Sequence, residues 1–274
     1  RTTVPGARGP GRMIEGTGYA RPVASDLDLR GVWIPLITPF AADGTVDTAA
    51  IERLCTEYLD AGSAGIVALG TTGESSALDE AERRLVIETV SAVCAARGAR
   101  VIVGTGSNNT ARTVATTEGL AGIPAVVGAL VVVPYYVRPS EAGIVAHFAA
   151  VAAASPVPLV LYNIPARTGR GLGATSLLEL AAMPNIAGVT QAVAELDADT
   201  LELLAEAPTG FGVLGGEDAL LFPLMCMGAV GAISAAAHLC NERFVTMIEH
   251  GLVGEVEAGR LIAGSLLPVV RSAF

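Results

Sequence analysis

The sequence predicts an α/β fold in which eight parallel strands, each followed by a helix, close into a (β/α)8, or TIM, barrel. Three observations point there. Short apolar runs alternate with longer amphipathic segments from Gly31 onward. The alternation recurs eight times, the count that a closed barrel needs. No GxGxxG turn, the mark of a doubly wound open sheet, occurs in the chain. A length of 274 residues suits a single barrel domain, and 51% hydrophobic residues with only 16% charged ones supply a large core.

The predicted strands fall at residues 32–38, 65–69, 100–104, 129–133, 157–162, 186–190, 211–214 and 230–234. Their Val/Ile/Leu content fits parallel strands covered on both faces. Helices are predicted at residues 48–61, 79–96, 109–120, 140–153, 175–182, 194–205 and 218–227, and again from Asn241. Asp47 or Thr48 is a natural N-cap for the first, because a short side-chain oxygen can accept from the first free amides. The domain reading is a flexible N-terminal arm over residues 1–30, the barrel over 31–240, and the start of a C-terminal helical region over 241–274. The arm is rich in glycine and arginine and has no apolar core of a secretory signal, so a cytoplasmic location is expected.

Charge and composition exclude several partners. A net charge of −10 and no run of like basic charges argue against nucleic acid. The uncharged stretch at residues 120–137 approaches the length of a membrane span. Gly122, Pro124, Gly128 and Pro134 interrupt it, so it reads as a helix end, a loop and a buried strand. Cys55, Cys94, Cys226 and Cys240 form no CxxC pair, and His147, His238 and His250 are isolated. Reduced core cysteines are expected, with no metal and no cofactor.

In such a barrel chemistry sits where a strand ends and its βα loop begins. Gly70-Thr71-Thr72-Gly73-Glu74 follows the second strand. Its glycines let the backbone approach a ligand, and its amides and hydroxyls can hold a carboxylate, although Gly-Thr-Thr-Gly also occurs as an ordinary turn. Pro134-Tyr135-Tyr136 follows the fourth strand, and Tyr162-Asn163-Ile164-Pro165-Ala166-Arg167-Thr168-Gly169 ends the fifth. Tyrosine hydroxyls can relay protons, and Arg167 can grip a carboxylate with two parallel hydrogen bonds. The alternative is that the tyrosines only rim the barrel and Arg167 pairs with a surface acid.

Those motifs, with Gly188-Val189-Thr190-Gln191-Ala192, Gly215-Gly216-Glu217-Asp218 and Gly231-Ala232-Ile233-Ser234, occur in an order and spacing that resemble the dihydrodipicolinate synthase / N-acetylneuraminate lyase family. The resemblance runs from about Gly31 to Phe274. It implies condensation of pyruvate with aspartate semialdehyde through a lysine Schiff base, in lysine biosynthesis. Thr71 and Thr72 would bind the pyruvate carboxylate. Thr71, Tyr162 and Tyr136 would form a proton relay, with Tyr136 entering a neighbouring subunit's site. Arg167 would hold the second substrate's carboxylate and favours the synthase branch over the sialic acid lyase branch. Gly216 and Ile233 would line the site through backbone carbonyls. The same resemblance implies a homotetramer built as a dimer of dimers, and a helical C-terminal extension cut short at Phe274.

One departure bears directly on activity. The seventeen basic residues are all arginine, so the chain contains no lysine. Thr190 stands at the position of the Schiff-base lysine. Threonine has no amine, and arginine stays protonated and cannot replace one. Schiff-base activity is therefore expected to be impaired or absent. The alternative reading is a non-catalytic keto-acid-binding module or regulatory subunit on the same barrel. A second departure concerns feedback by lysine: the positions expected to carry histidines and an acid read Glu80, Arg83 and Arg112, and only Asn108 and Tyr135 match. Lysine inhibition is not expected.

Overall fold

The computed structural model describes residues 27–273. The arm expected over residues 1–30 therefore lies outside the described residues as far as residue 26. Leu27 and Leu29 pack against the barrel interior, and Leu29 is only 3% exposed.

Eight strands close one barrel in sequence order, with β8 returning to β1 and every pair parallel. They are β1 (Gly31–Pro35), β2 (Gly65–Ala68), β3 (Val101–Gly104), β4 (Val126–Val132), β5 (Leu159–Asn163), β6 (Ile186–Gln191), β7 (Gly212–Gly215) and β8 (Gly231–Ile233). The helices between them are α1 (Thr48–Asp60), α2 (Glu80–Ala96), α3 (Thr110–Glu118), α4 (Glu141–Ala154), α5 (Pro165–Thr168), α6 (Ala174–Ala181), α7 (Ala198–Glu206) and α8 (Leu221–Cys226). Two more, α9 (Asn241–Leu252) and α10 (Val256–Ala273), follow the barrel. No described helix is long and apolar enough to cross a membrane. The uncharged stretch at residues 120–137 spans the turn after α3, all of β4 and the loop that follows it.

Period-two alternation divides the core into two layers. Trp33, Val67, Ile102, Leu130, Val160, Ala187, Leu214 and Ile233, one from each strand, pack with Leu29 inside the barrel. Their neighbours, such as Ile34, Ile66, Val103, Val131, Leu161 and Val189, face outward against the helices. At the N-terminal end of the barrel the indole Nε1 of Trp33 donates to Leu29 O at 3.1 Å, and the guanidinium of Arg100 lies 5.0 Å from the indole ring.

Two strands depart from simple alternation. β4 starts at Val126 rather than near residue 129, because the pairing shifts between Val101 and Ile102. β6 carries an extra residue opposite Leu159 and Val160. That bulge resets its parity, so Gly188 and Thr190 pair with Val160 and Tyr162 and share their inward face.

Side-chain caps set five of these helix starts. Asp47 caps α1 through Ala50 N. Asp79 and Glu82 form a reciprocal capping box on α2. α7 begins at Ala198 rather than 194, because Asp197 accepts from Thr200 N and fixes the start there. The single-turn α5 was not predicted. Pro165 opens it and Gly169, at φ +70°, closes it in a conformation that glycine adopts without strain.

Candidate active site

The C-terminal ends of the strands surround a cavity of about 400 Å3. Thr71, Thr72, Tyr162, Arg167, Thr190, Gly216 and Ile233 all line it. The structure thus brings together every predicted site residue except Tyr136. That residue is 87% exposed, sits at φ +71°, and lines a neighbouring cavity of about 590 Å3. Thr71, Tyr162 and Arg167 form the wall between the two. Arg83, Arg112 and Tyr135 line the second cavity as well.

The loop after β2 is held tightly. Gly73 N donates to Gly70 O and Glu74 N to Thr71 O, while Thr38 Oγ1 donates to Gly73 O at 2.7 Å. Leu69 and Glu74 adopt positive φ values at its two ends. This bent backbone presents both threonines to the cavity, and such strain is retained where the surroundings fix it.

Tyr162 is the inward residue near the end of β5. Burial raises its phenol above the ordinary tyrosine value, while a side-chain hydrogen bond from Thr71 and the charge of Arg167 pull it back down. Arg167 projects from α5 and makes no ion pair among the described residues, so its guanidinium is available to an anion. Behind these groups lies a buried amide network. Asn163 Nδ2 donates to Gln191 Oε1 at 2.8 Å, Leu172 N donates to Asn163 Oδ1, and Gln191 Nε2 donates to Thr200 Oγ1. The network ties β5, β6 and α7 together and fixes the spacing of Tyr162 and Thr190.

Thr190 is 1% exposed, and its Oγ1 has no hydrogen-bond partner among the described residues. Gly216 lies beside it. A Cβ there would stand 2.8 Å from Thr190 Oγ1 and from Ala192 Cβ, so only glycine fits against the hydroxyl.

Asp218 was quoted in a motif without a role. It is buried at the cavity wall, where Ser234 Oγ donates to one carboxylate oxygen at 2.6 Å and Ala236 N to the other at 3.0 Å. Burial raises its carboxyl above the usual range, and the two hydrogen bonds oppose that shift. The pair clamps the loops after β7 and β8. The signal was present in the spacing of Asp218 and Ser234, each just beyond a strand, but sequence alone does not reveal that they touch.

Comparison with known proteins fits this arrangement. The model of the Dihydrodipicolinate synthetase family matches residues 28–274. The 4-hydroxy-tetrahydrodipicolinate synthase of Moorella thermoacetica is 40% identical over 239 residues, covering 87% of this chain and 81% of that protein. That of Salinibacter ruber is 39% identical over 254 residues, covering 92% and 83%. Among solved structures, dihydrodipicolinate synthase from Aquifex aeolicus superimposes with a TM-score of 0.84 at 34% identity, over 89% of this chain and 82% of that one. The Acinetobacter baumannii enzyme, solved in complex with pyruvate, superimposes with a TM-score of 0.85 at 30% identity, over 89% and 82%.

Proposed function

The chain belongs to the dihydrodipicolinate synthetase family, and from that premise we propose that its cavity binds pyruvate without forming an imine. The family condenses pyruvate with aspartate semialdehyde in lysine biosynthesis. Here Thr71 and Thr72 hold the carboxylate of the keto acid, and Tyr162 faces its C2 carbon. Arg167, at the mouth, takes the carboxylate of a second ligand such as aspartate semialdehyde. The condensation itself is impaired or absent.

The observation that carries this reading is the combination of an assembled cavity with Thr190 on its wall and no lysine in the chain. Covalent catalysis needs an amine whose pKa burial can depress. Its loss lowers turnover by about a thousandfold or more. A non-catalytic keto-acid sensor or partner subunit is the second reading, favoured by the same pairing of an intact cavity with a missing nucleophile. The family reading also makes the protein a cytoplasmic homo-oligomer, a dimer of dimers in which the exposed Tyr136 reaches a neighbouring copy's cavity.

Two measurements on one sample test the proposal. Calorimetric titration with pyruvate is expected to give saturable heat. Intact-protein mass after pyruvate and borohydride is expected to stay unchanged. Absence of binding contradicts the keto-acid assignment, and a reduced adduct inside the barrel contradicts the loss of imine chemistry.

A further inference from the structure

Resting on the reading of the cavity as a 2-oxo acid site, the geometry points to Thr190 as the residue that selects the ligand: Thr190 and Tyr162 form a two-donor clamp on its C2 oxygen. Thr190 does more than mark a missing lysine. Its hydroxyl is almost wholly removed from water and has no partner among the described residues, in a wall that opens on the cavity. A buried hydroxyl in that state costs free energy, which a ligand atom can return by accepting its proton.

Tyr162 supplies the second donor. The β6 bulge puts it in direct register with Thr190 on the inner face of the barrel. Thr71 stands beside its phenol, and both side chains line the cavity. Hydroxyls from adjacent strands therefore border one cavity. A ketone oxygen carries two lone pairs in the plane of its carbonyl and satisfies both donors. Gly216 lies against the Thr190 hydroxyl, and a Cβ there would crowd it at 2.8 Å.

The carboxylate loop at Thr71 and Thr72 alone would accept any small acid. The clamp restricts the site to acids that keep an oxygen at C2, because an analogue without it leaves two buried donors unpaired. The ligand class is thus the 2-oxo acid with its carbonyl intact, and a simple alkanoate of the same length binds more weakly.

Sodium pyruvate and sodium propionate, titrated by calorimetry into the full chain, test this. The wild type is expected to prefer pyruvate by about tenfold or more, the scale of one hydrogen bond and an unpaired donor avoided. Thr190→Val keeps the side-chain shape but removes the hydroxyl. It is expected to weaken pyruvate about tenfold while leaving propionate unchanged. Thr190→Ser, which restores a donor, is expected to retain the preference. The Thr190→Val protein should melt at the same temperature as the wild type or higher, since an orphan hydroxyl has become a methyl. A Thr190→Val protein with the wild-type ratio of pyruvate to propionate affinity overturns the clamp while leaving the keto-acid reading in place. Failure of the wild type to bind pyruvate overturns that reading and the clamp together.

Discussion

The two ends of this barrel are built on opposite terms. At the N-terminal end Leu29 and Trp33 fill the interior, the indole N–H is bonded, and Arg100 covers the ring. Ala125 and Asn185 adopt positive φ there, just before β4 and β6, and the Asn185 side-chain amide donates to two carbonyls at 3.0 Å. At the C-terminal end Leu69, Glu74, Tyr136 and Arg138 all have positive φ, Asp218 is a buried carboxyl, and the Thr190 hydroxyl is unpartnered. One end is filled by packing, and the other holds more of the positive-φ residues, a buried carboxyl and an unspent hydrogen bond. The difference teaches where substitutions act: on stability at the first end and on ligands at the second.

The largest effect that breaks this division is expected from Thr190→Lys. The cavity that Thr190 lines can receive the longer side chain. An imine with pyruvate should appear in borohydride-trapped mass spectra. Condensation with aspartate semialdehyde should rise by about a thousandfold or more over the parent chain. If no adduct forms, the C-terminal end has diverged at more than one residue, and the non-catalytic reading gains.

At the opposite end Trp33→Ala removes the largest fully buried side chain, on which Gly65 closely packs. A loss of about 3–5 kcal/mol is expected in denaturant unfolding, the range for a large-to-small core change. Equal damage to pyruvate affinity in the protein that remains folded would erase the contrast between the two ends.

A smaller effect sharpens the comparison through pH. Arg30 holds the carboxyl of Asp28, at the N-terminal end, down to about 2 from its ordinary 3.8, mainly through a side-chain hydrogen bond. The folded value lies below the unfolded one, so the unfolded chain binds more protons between them. Stability from this pair is present above pH 3.8 and is lost as the pH falls towards 2. Acid unfolding of Asp28→Asn should be less steep across that window. The change will be small, because the pair is largely exposed to solvent.

Much of this architecture is legible in the sequence, because alternation of buried runs and amphipathic segments is a long-range pattern that local accidents do not hide. The strand ends bearing Thr71, Thr72, Tyr162 and Arg167 follow from it. What the pattern does not contain is the point where alternation resets. The bulge that turns Thr190 inward depends on pairing between β5 and β6, and the early start of β4 depends on pairing with β3. The start of α7 was set by the Asp197 cap rather than by the apolar period. The clamp of Asp218 and Ser234, sixteen residues apart, needs the closed barrel to bring its two loops together.

A crystal structure of the unaltered chain soaked in pyruvate would show how Thr190 meets the ligand. A planar keto acid is expected, with its carboxylate at Thr71 and Thr72, its C2 oxygen between Tyr162 and Thr190, and no covalent bond to the protein. A covalently attached ligand, or a keto acid whose C2 oxygen points away from Thr190, would contradict that expectation.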